Sequence, residues 1–344
     1  MKRCTNCIMP DTKPAITFDE RGVCNACQNI EKMNNLDWAA KWEELKKIAE
    51  TAKQKKGYNC LVPVSGGKDS TVICLTAKKL GLKPLCVFVE PPYITEMGQR
   101  NIDNLADLGF DIFVFKPNRT ILPELFKRCM IEDGSPGRAF EFMLYAVPMQ
   151  VAINYEIPLV IWGEDPQHDY GNPGASGADD QANHDALRGQ RADHWASENI
   201  SEEDLIAYQH PSKAALDQAG VKVIYLSSYI PFEAQRNAKI AIDHGLTIRP
   251  DSELEGTGGY WNFEQLDDEI PIISHLLKFI KYGYGRATDQ VCRDIRWGYI
   301  TREEGLALAK KYDGKCNPDY IKRYCEFVGI SEDEFWKLAK KWQG

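Results

Sequence analysis

Five short apolar runs, separated by stretches of helical period, constrain the fold of this chain more than any other feature. They are 59–64 (NCLVPV), 84–89 (PLCVFV), 111–115 (DIFVF), 158–162 (PLVIW) and 221–226 (VKVIYL). Continuously apolar runs this short, rich in β-branched and aromatic residues, suit strands covered on both faces. Helical patterns lie between them at about 69–80, 95–108, 119–132 and 140–155. This rhythm predicts an α/β fold with a doubly wound parallel sheet. Ligands of such sheets bind beyond the carboxyl ends of the strands, so the chemistry is sought in the loops that follow each run.

The sequence flanking this core has a different character. Residues 38–56 read as an amphipathic helix with Trp38, Trp42, Leu45 and Ile48 on one face and a solvated lysine face opposite. Beyond about 250 the strand signals stop, and helical patterns appear near 269–282, 287–297, 302–312, 318–328 and 332–342. Residues 1–35 carry few large apolar side chains and cannot bury a core unaided. The expected organisation is a four-cysteine segment at 1–35, an α/β domain at 36–250 and a C-terminal helical region at 251–344. The small, polar stretch 171–186 reads as a mobile loop.

Forty-two Lys+Arg against 50 Asp+Glu give a formal net charge of −8. That balance counts against non-specific nucleic-acid binding, which depends on many phosphate-neutralising cations. No apolar run approaches the roughly 20 residues that span a bilayer, and the N-terminus MKRCTNCIMP lacks a signal peptide's apolar segment. A cytoplasmic protein with no membrane partner is expected.

Of the 11 cysteines, Cys4, Cys7, Cys24 and Cys27 form two Cys-x-x-Cys pairs separated by 16 residues. This spacing suits a closed tetrahedral Zn²⁺ site, with Gly22 at the tight turn before the second pair. A disulfide pair and a redox or iron–sulfur site are the alternatives. A four-ligand zinc ion leaves no position for substrate, so it would staple the fold rather than perform the reaction. The other seven cysteines read as small buried hydrophobes in a reducing compartment.

The loop after the first run is Ser65-Gly66-Gly67-Lys68-Asp69-Ser70. It matches neither of the two common glycine-rich phosphate loops, yet the same physics applies. Glycines after a buried strand let backbone N–H groups approach an anion, and a helix N-terminus adds its positive dipole end. Ser65 and Ser70 carry hydroxyl donors, Lys68 a cation, and Asp69 makes most sense with Mg²⁺ between itself and a phosphate. The six residues resemble the SGGxDS loop of the PP-loop (N-type) ATP pyrophosphatases. The resemblance implies cleavage of ATP between the α- and β-phosphates, with a substrate oxygen attacking the α-phosphorus. Adenine would be read by backbone of Val87 to Val89. After the fourth run come Glu164, Asp165, Gln167, His168, Asp169 and Tyr170, polar groups suited to Mg²⁺, substrate or ammonia, or else to a solvated loop.

No cysteine stands where an in-chain glutaminase would need one. Position 2 is Lys, and Cys316, the nearest to a G-x-C-x-G elbow, lacks the second glycine. Ammonia would then come from a separate subunit. A sulfur transferase needs a persulfide cysteine, for which Cys129 is the remaining option. In the C-terminal region Asp289, Arg293 and Arg296 share a helical face just after Arg286, suited to binding an anion or to internal ion pairs on a solvated face.

Taken together, the chain resembles the N-acetyl sugar amidotransferases of surface-polysaccharide and nonulosonic-acid biosynthesis. The resemblance rests on Cys4-x-x-Cys7-x-x-Pro10-Asp11-Thr12-x-Pro14, the block from Phe18 to Cys27, Ser65–Ser70, Gly163-Glu164, the block from Lys281 to Asp289 and that from Asp294 to Glu304. It implies an AMP-forming ligase that adenylates the acetamido oxygen of an N-acetylated, acidic or nucleotide-linked sugar. Ammonia from a partner glutaminase would replace that oxygen to give an acetamidino sugar. Ser65, Gly66, Gly67, Asp69, Ser70 and Val89 would bind ATP, and Lys68, Asp69 and Glu164 would act in catalysis. Lys281, Arg286 and Arg293 would contact the substrate. The rivals are a PP-loop tRNA-modifying enzyme and a non-catalytic zinc scaffold, with the oligomeric state left open.

Overall fold

A computed structural model describes residues 1–163 and 192–343. Five strands, β1 (Cys60–Val64), β2 (Pro84–Val89), β3 (Asp111–Phe115), β4 (Leu159–Trp162) and β5 (Lys222–Tyr225), form one sheet in the order β3-β2-β1-β4-β5. Every pairing is parallel. The chain winds outward from β1 through β2 to β3, then crosses back to place β4 on the other side of β1. The winding therefore reverses beside the carboxyl end of β1, the point at which open α/β sheets bind ligands.

Each strand is apolar throughout because both faces of the sheet are covered. Cys60, Val62 and Val64 of β1, Cys86 and Phe88 of β2, and Leu159 and Ile161 of β4 face one core. Leu61, Leu85, Val87, Val89, Val160 and Val223 face the other. This alternation at period two, with both sets buried, is the pleat of a fully covered sheet.

The helices on the first face are α2 (Trp38–Ala52), α3 (Lys68–Lys79) and α4 (Glu96–Asp107), which follow α1 (Asn25–Met33). On the second lie α5 (Leu122–Asp133) and α6 (Arg138–Asn154). Two further helices, α7 (Lys213–Gln218) and α8 (Ala234–Asp243), come without a forecast from the sequence, and α8 packs against α3. Its buried side, Ala234, Asn237, Ala238 and Ala241, is small and partly polar, so it raises little apolar periodicity.

The C-terminal helices are α9 (Ile270–Tyr282), α10 (Arg286–Arg296), α11 (Arg302–Tyr312), α12 (Pro318–Val328) and α13 (Glu332–Lys340). Ile273 and Leu277 of α9, Tyr324 of α12 and Phe335 of α13 share the second core with the sheet. The C-terminal region is thus a layer on the sheet. The N-terminal segment rests in turn on that layer: its cysteines, Ile8, Met9 and Val23 pack with Tyr284, Val291, Cys292 and Ala309. The Arg302 guanidinium donates to the carbonyls of Cys7 (3.1 Å) and Cys4 (3.4 Å). No helix among the described residues is long and apolar enough to cross a membrane.

Candidate active site at the end of the central strand

The loop leaves β1 at Val64 and enters α3 at Lys68, so Ser65–Gly67 lie at the winding reversal. Gly66 has φ +77°, and a Cβ there would lie 3.0 Å from backbone atoms of Asn101 and Ile102 on α4. Glycine is therefore required twice over, by conformation and by space. Inside the loop the Ser65 N–H donates to Ser70 Oγ (2.9 Å) and the Thr71 hydroxyl donates to the Gly67 carbonyl (3.1 Å). Gly67 takes the N-cap position of α3 and no side chain caps the helix. The first turn thereby keeps its positive end toward the cleft in front of it.

Lys68 and Asp69 are fixed by contacts from distant parts of the chain. Lys68, 6% exposed, places Nζ 2.8 Å from Asp69 Oδ2, 3.5 Å from Glu264 Oε1 and 5.7 Å from the Phe263 ring centre. Asn237 of α8 donates through Nδ2 to Asp69 Oδ1 at 2.8 Å. The cleft holds about 290 Å³. Ser65, Gly67, Lys68 and Asp69 form one wall, and the segment Phe263–Asp267 with His275 of α9 and Arg286 of α10 forms the other.

Glu264 ties the two walls together. Its Oε2 accepts from Arg286 Nε (2.9 Å), Arg286 Nη2 (2.6 Å) and Gln290 Nε2 (2.8 Å), while Oε1 faces Lys68. Burial alone would push its carboxyl up, but the charges of Arg286, Lys68 and Arg293 hold it well below the usual carboxylate range. Arg293 lies 5.3 Å over the Trp261 ring. The neighbouring Asp294 accepts from Trp261 Nε1 (2.9 Å), Gln235 Nε2 (2.9 Å) and the Tyr260 hydroxyl. Three cations proposed from sequence, Lys68, Arg286 and Arg293, thus converge on one carboxylate. The Arg286–Arg293 helix presents no solvated face there, since residues 287–294 are all buried.

A Glu264→Gln substitution should therefore cost about 3 kcal/mol of stability at neutral pH, since it leaves buried cations without their counter-charge. A depressed carboxyl contributes stability above its unfolded pKa and loses it on acidification. The gap in thermal stability between wild type and variant should accordingly begin to narrow below about pH 4 and shrink further as the pH falls. A gap unchanged from pH 7 to pH 3 would contradict this picture.

The remaining sequence candidates lie elsewhere. Lys281, in the last turn of α9, donates to the Asp133 carbonyl at 2.6 Å and stacks 4.6 Å from the Trp342 ring centre. It borders a separate cavity of about 600 Å³ beside Met1, Thr12 and Trp336. Val89 is buried as the last residue of β2, in register with Phe115. The next carboxylate, Glu90, pairs with Lys116 and Arg119 at 3.0 Å each. Glu164, Asp165, Gln167, His168, Asp169, Tyr170 and the polar stretch 171–186 lie outside the described residues. Sequence reasoning missed Glu264, Asn237, Gln290, Asp267 and His275. The aromatic cluster Tyr260-Trp261-x-Phe263 is the only local signal near the first of these.

The four N-terminal cysteines are all buried, with their sulfurs within 4.8 Å of one another. Cys4 and Cys27 sulfurs are 3.9 Å apart, and those of Cys7 and Cys24 3.7 Å. A tetrahedron with Zn–S bonds of about 2.3 Å has edges of about 3.8 Å, whereas a disulfide needs about 2.05 Å. The donor set fits one zinc ion. Backbone N–H groups of Cys24 and Met9 point at the sulfurs of Cys4 (3.2 Å) and Cys7 (3.4 Å), the outer hydrogen bonds that steady metal-bound thiolates. Elsewhere, burial pushes the thiols of Cys129 and Cys316 up to about 12 and that of Cys325 up to about 11. None of these three has the lowered pKa of a reactive thiolate.

Comparison with known proteins adds three findings. Residues 257–344 match the family described as LPS biosynthesis protein WbpG-like, C-terminal domain. An uncharacterized protein of Methanocaldococcus jannaschii is 28% identical over 147 residues, which make up 40% of this chain and 49% of that protein. The chain thus spans about half the length of the curated relative it matches. The crystal structure of a predicted subunit of tRNA methyltransferase from the same organism aligns with 53% of this chain and 75% of its own, at 17% identity and a TM-score of 0.30.

Proposed function

We propose that the protein is an ATP-dependent amidotransferase that converts the acetamido group of a sugar to an acetamidino group, releasing AMP and pyrophosphate. The observation that carries this reading is the joining of the phosphate loop to the C-terminal region through Glu264. Lys68 on the loop and Arg286 on the C-terminal side meet at one carboxylate beside a cleft, and the C-terminal side is the part that matches the lipopolysaccharide-biosynthesis family.

An amide oxygen is a poor leaving group, and its transfer to AMP makes it a good one. In this reading the loop N–H groups, Ser65 and Ser70 bind the departing pyrophosphate at the N-terminus of α3. Lys68 neutralises charge growing on the α-phosphate as the acetamido oxygen attacks. Asp69, oriented by Asn237, is the carboxylate placed to hold a Mg²⁺ ion, which when bound would screen the phosphate oxygens. In this reading Arg286 at the cleft, with Arg293 buried behind it, would counter the negative charge of a sugar acid or a nucleotide-linked sugar. Ammonia would arrive from a separate glutaminase.

The decisive assay combines protein, Mg-ATP, ammonium and a panel of N-acetylated sugars and sugar nucleotides. AMP release should accompany a product one mass unit lighter, as O is replaced by NH. AMP release that depends on tRNA, with no sugar product, would overturn the reading.

A further inference from the structure

We infer that Asp267 is the proton acceptor for the amination half of this reaction, a role that rests on the amidotransferase reading proposed above. Asp267 lines the same cleft as the loop, from the opposite wall. Two other carboxylates among the lining residues are already engaged by cations, Asp69 by Lys68 and Glu264 by Lys68 and Arg286. Among the described residues Asp267 has no ion-pair partner.

Its backbone is held firmly. The Thr95 N–H donates to the Asp267 carbonyl at 3.1 Å, and the Thr95 hydroxyl donates to the carbonyl of Leu266. Gly98 of α4 meets it so closely that a Cβ there would lie 2.5 Å from the Asp267 Cα. The backbone of Asp267 is thus held in the wall opposite Lys68 by a helix that also abuts Gly66.

The chemistry of the second half-reaction calls for such a group. Attack of the acetamido oxygen on ATP leaves a protonated imidate bearing O–AMP and releases pyrophosphate. Ammonia adds its lone pair to the imidate carbon, which forms a C–N bond and a tetrahedral adduct carrying –NH₃⁺. One proton must leave that nitrogen before its electrons can expel AMP with cleavage of the C–O bond. The Asp267 carboxylate takes this proton and later passes it to water, and the product departs as the amidinium.

Burial pushes the Asp267 carboxyl up to about 6, so it is ionised at neutral pH and still basic enough to hold a proton briefly. The charged and titratable groups around it are Lys68 and Asp69 on α3, Glu264 and Asp268 on its own segment, His275 on α9 and Arg286 on α10. Glu96 and Arg100 lie on the helix packed behind it. Burial, with the charges of Lys278 and Arg286, drives the His275 imidazole well below its ordinary pKa. That side chain is neutral in the working range and a weak base.

The test measures pyrophosphate and amidine separately in wild type and in Asp267→Asn, with ammonium as nitrogen source. Pyrophosphate release should change by less than about threefold, while amidine formation falls by about 10²-fold or more. The surplus AMP should appear with unchanged acetamido sugar, because water then intercepts the adenylate. In wild type, amidine formation per unit of free-base ammonia should decline as pH falls through about 6, and the variant should lack that decline. Hydroxylamine, whose adduct is the stronger acid, should restore part of the variant's rate. A variant that makes amidine at the wild-type rate, or loses both half-reactions equally, would overturn the role of Asp267 alone. A wild type that makes no amidine from any sugar would overturn the parent reading and this inference with it.

Discussion

A Lys68→Met protein should fold and release AMP at no more than about one-thousandth of the wild-type rate, the loss seen when a preorganised charge stabiliser is removed. Folding should survive because the flexible methionine fits the buried stem of Lys68 against Phe263. The partners left behind also keep other hydrogen bonds. Asp69 retains Asn237, and Glu264 retains Arg286 and Gln290. Activity should not survive, since Lys68 is the cation that reaches the loop and the opposite wall together. Lys68→Arg should recover little, because a planar guanidinium cannot replace a compact ammonium between two carboxylates in so small a cleft. The loss should appear in kcat more than in the KM for ATP, as the loop N–H groups still bind pyrophosphate oxygens. AMP release by Lys68→Met within tenfold of wild type would remove the loop from the mechanism.

Stripping the N-terminal cysteines of metal should lower the melting temperature by on the order of 10 °C, since zinc-site formation and folding of its segment are one event. The size follows from what that segment packs against. Cys4, Cys7, Ile8, Met9 and Val23 bury themselves in a small cluster with Tyr284, Val291, Cys292 and Ala309, apart from the two cores of the sheet. Once the metal leaves, the segment loses its own shape and uncovers Tyr284, Val291 and Cys292. Elemental analysis should find one zinc per chain, and Cys4→Ser should reproduce the stripped state. Thiolates must be deprotonated to hold the metal, so the stabilisation is present at neutral pH and is lost on acidification. The same treatment should weaken catalysis, because α10 carries Arg286 into the cleft, with Arg293 buried behind it. An unchanged melting curve after metal removal would show that the staple is not structural.

Much of the fold was legible because its signals are local. The five apolar runs became β1 to β5 within one or two residues of their expected limits. Strand and helix periods differ so sharply that short windows distinguish them. The two Cys-x-x-Cys pairs and the SGGKDS loop were legible for the same reason, since each compresses its ligands into a few residues. Helices α7 and α8 were not, as their buried residues are few or small. Lys281 and Arg286 read as neighbours in sequence, yet they line different cavities. Gly283, at φ +71°, ends α9 in a left-handed cap, and α10 sets off on a new path toward the cleft.

By itself, then, the amino-acid sequence determined the five strands and most of the helices, the place of the Ser65–Ser70 loop after the central strand and the likeness of the N-terminal cysteines to a metal site. Only the tertiary structure decided what faces the loop. Glu264 is 196 residues from Lys68 along the chain, and Asn237 is 168 from Asp69. The path through the C-terminal region brings Glu264 to Lys68, and the packing of α8 against α3 brings Asn237 to Asp69. No period or spacing records such a meeting, because it depends on how helices buried against one sheet cross one another, and on where the loops between them turn.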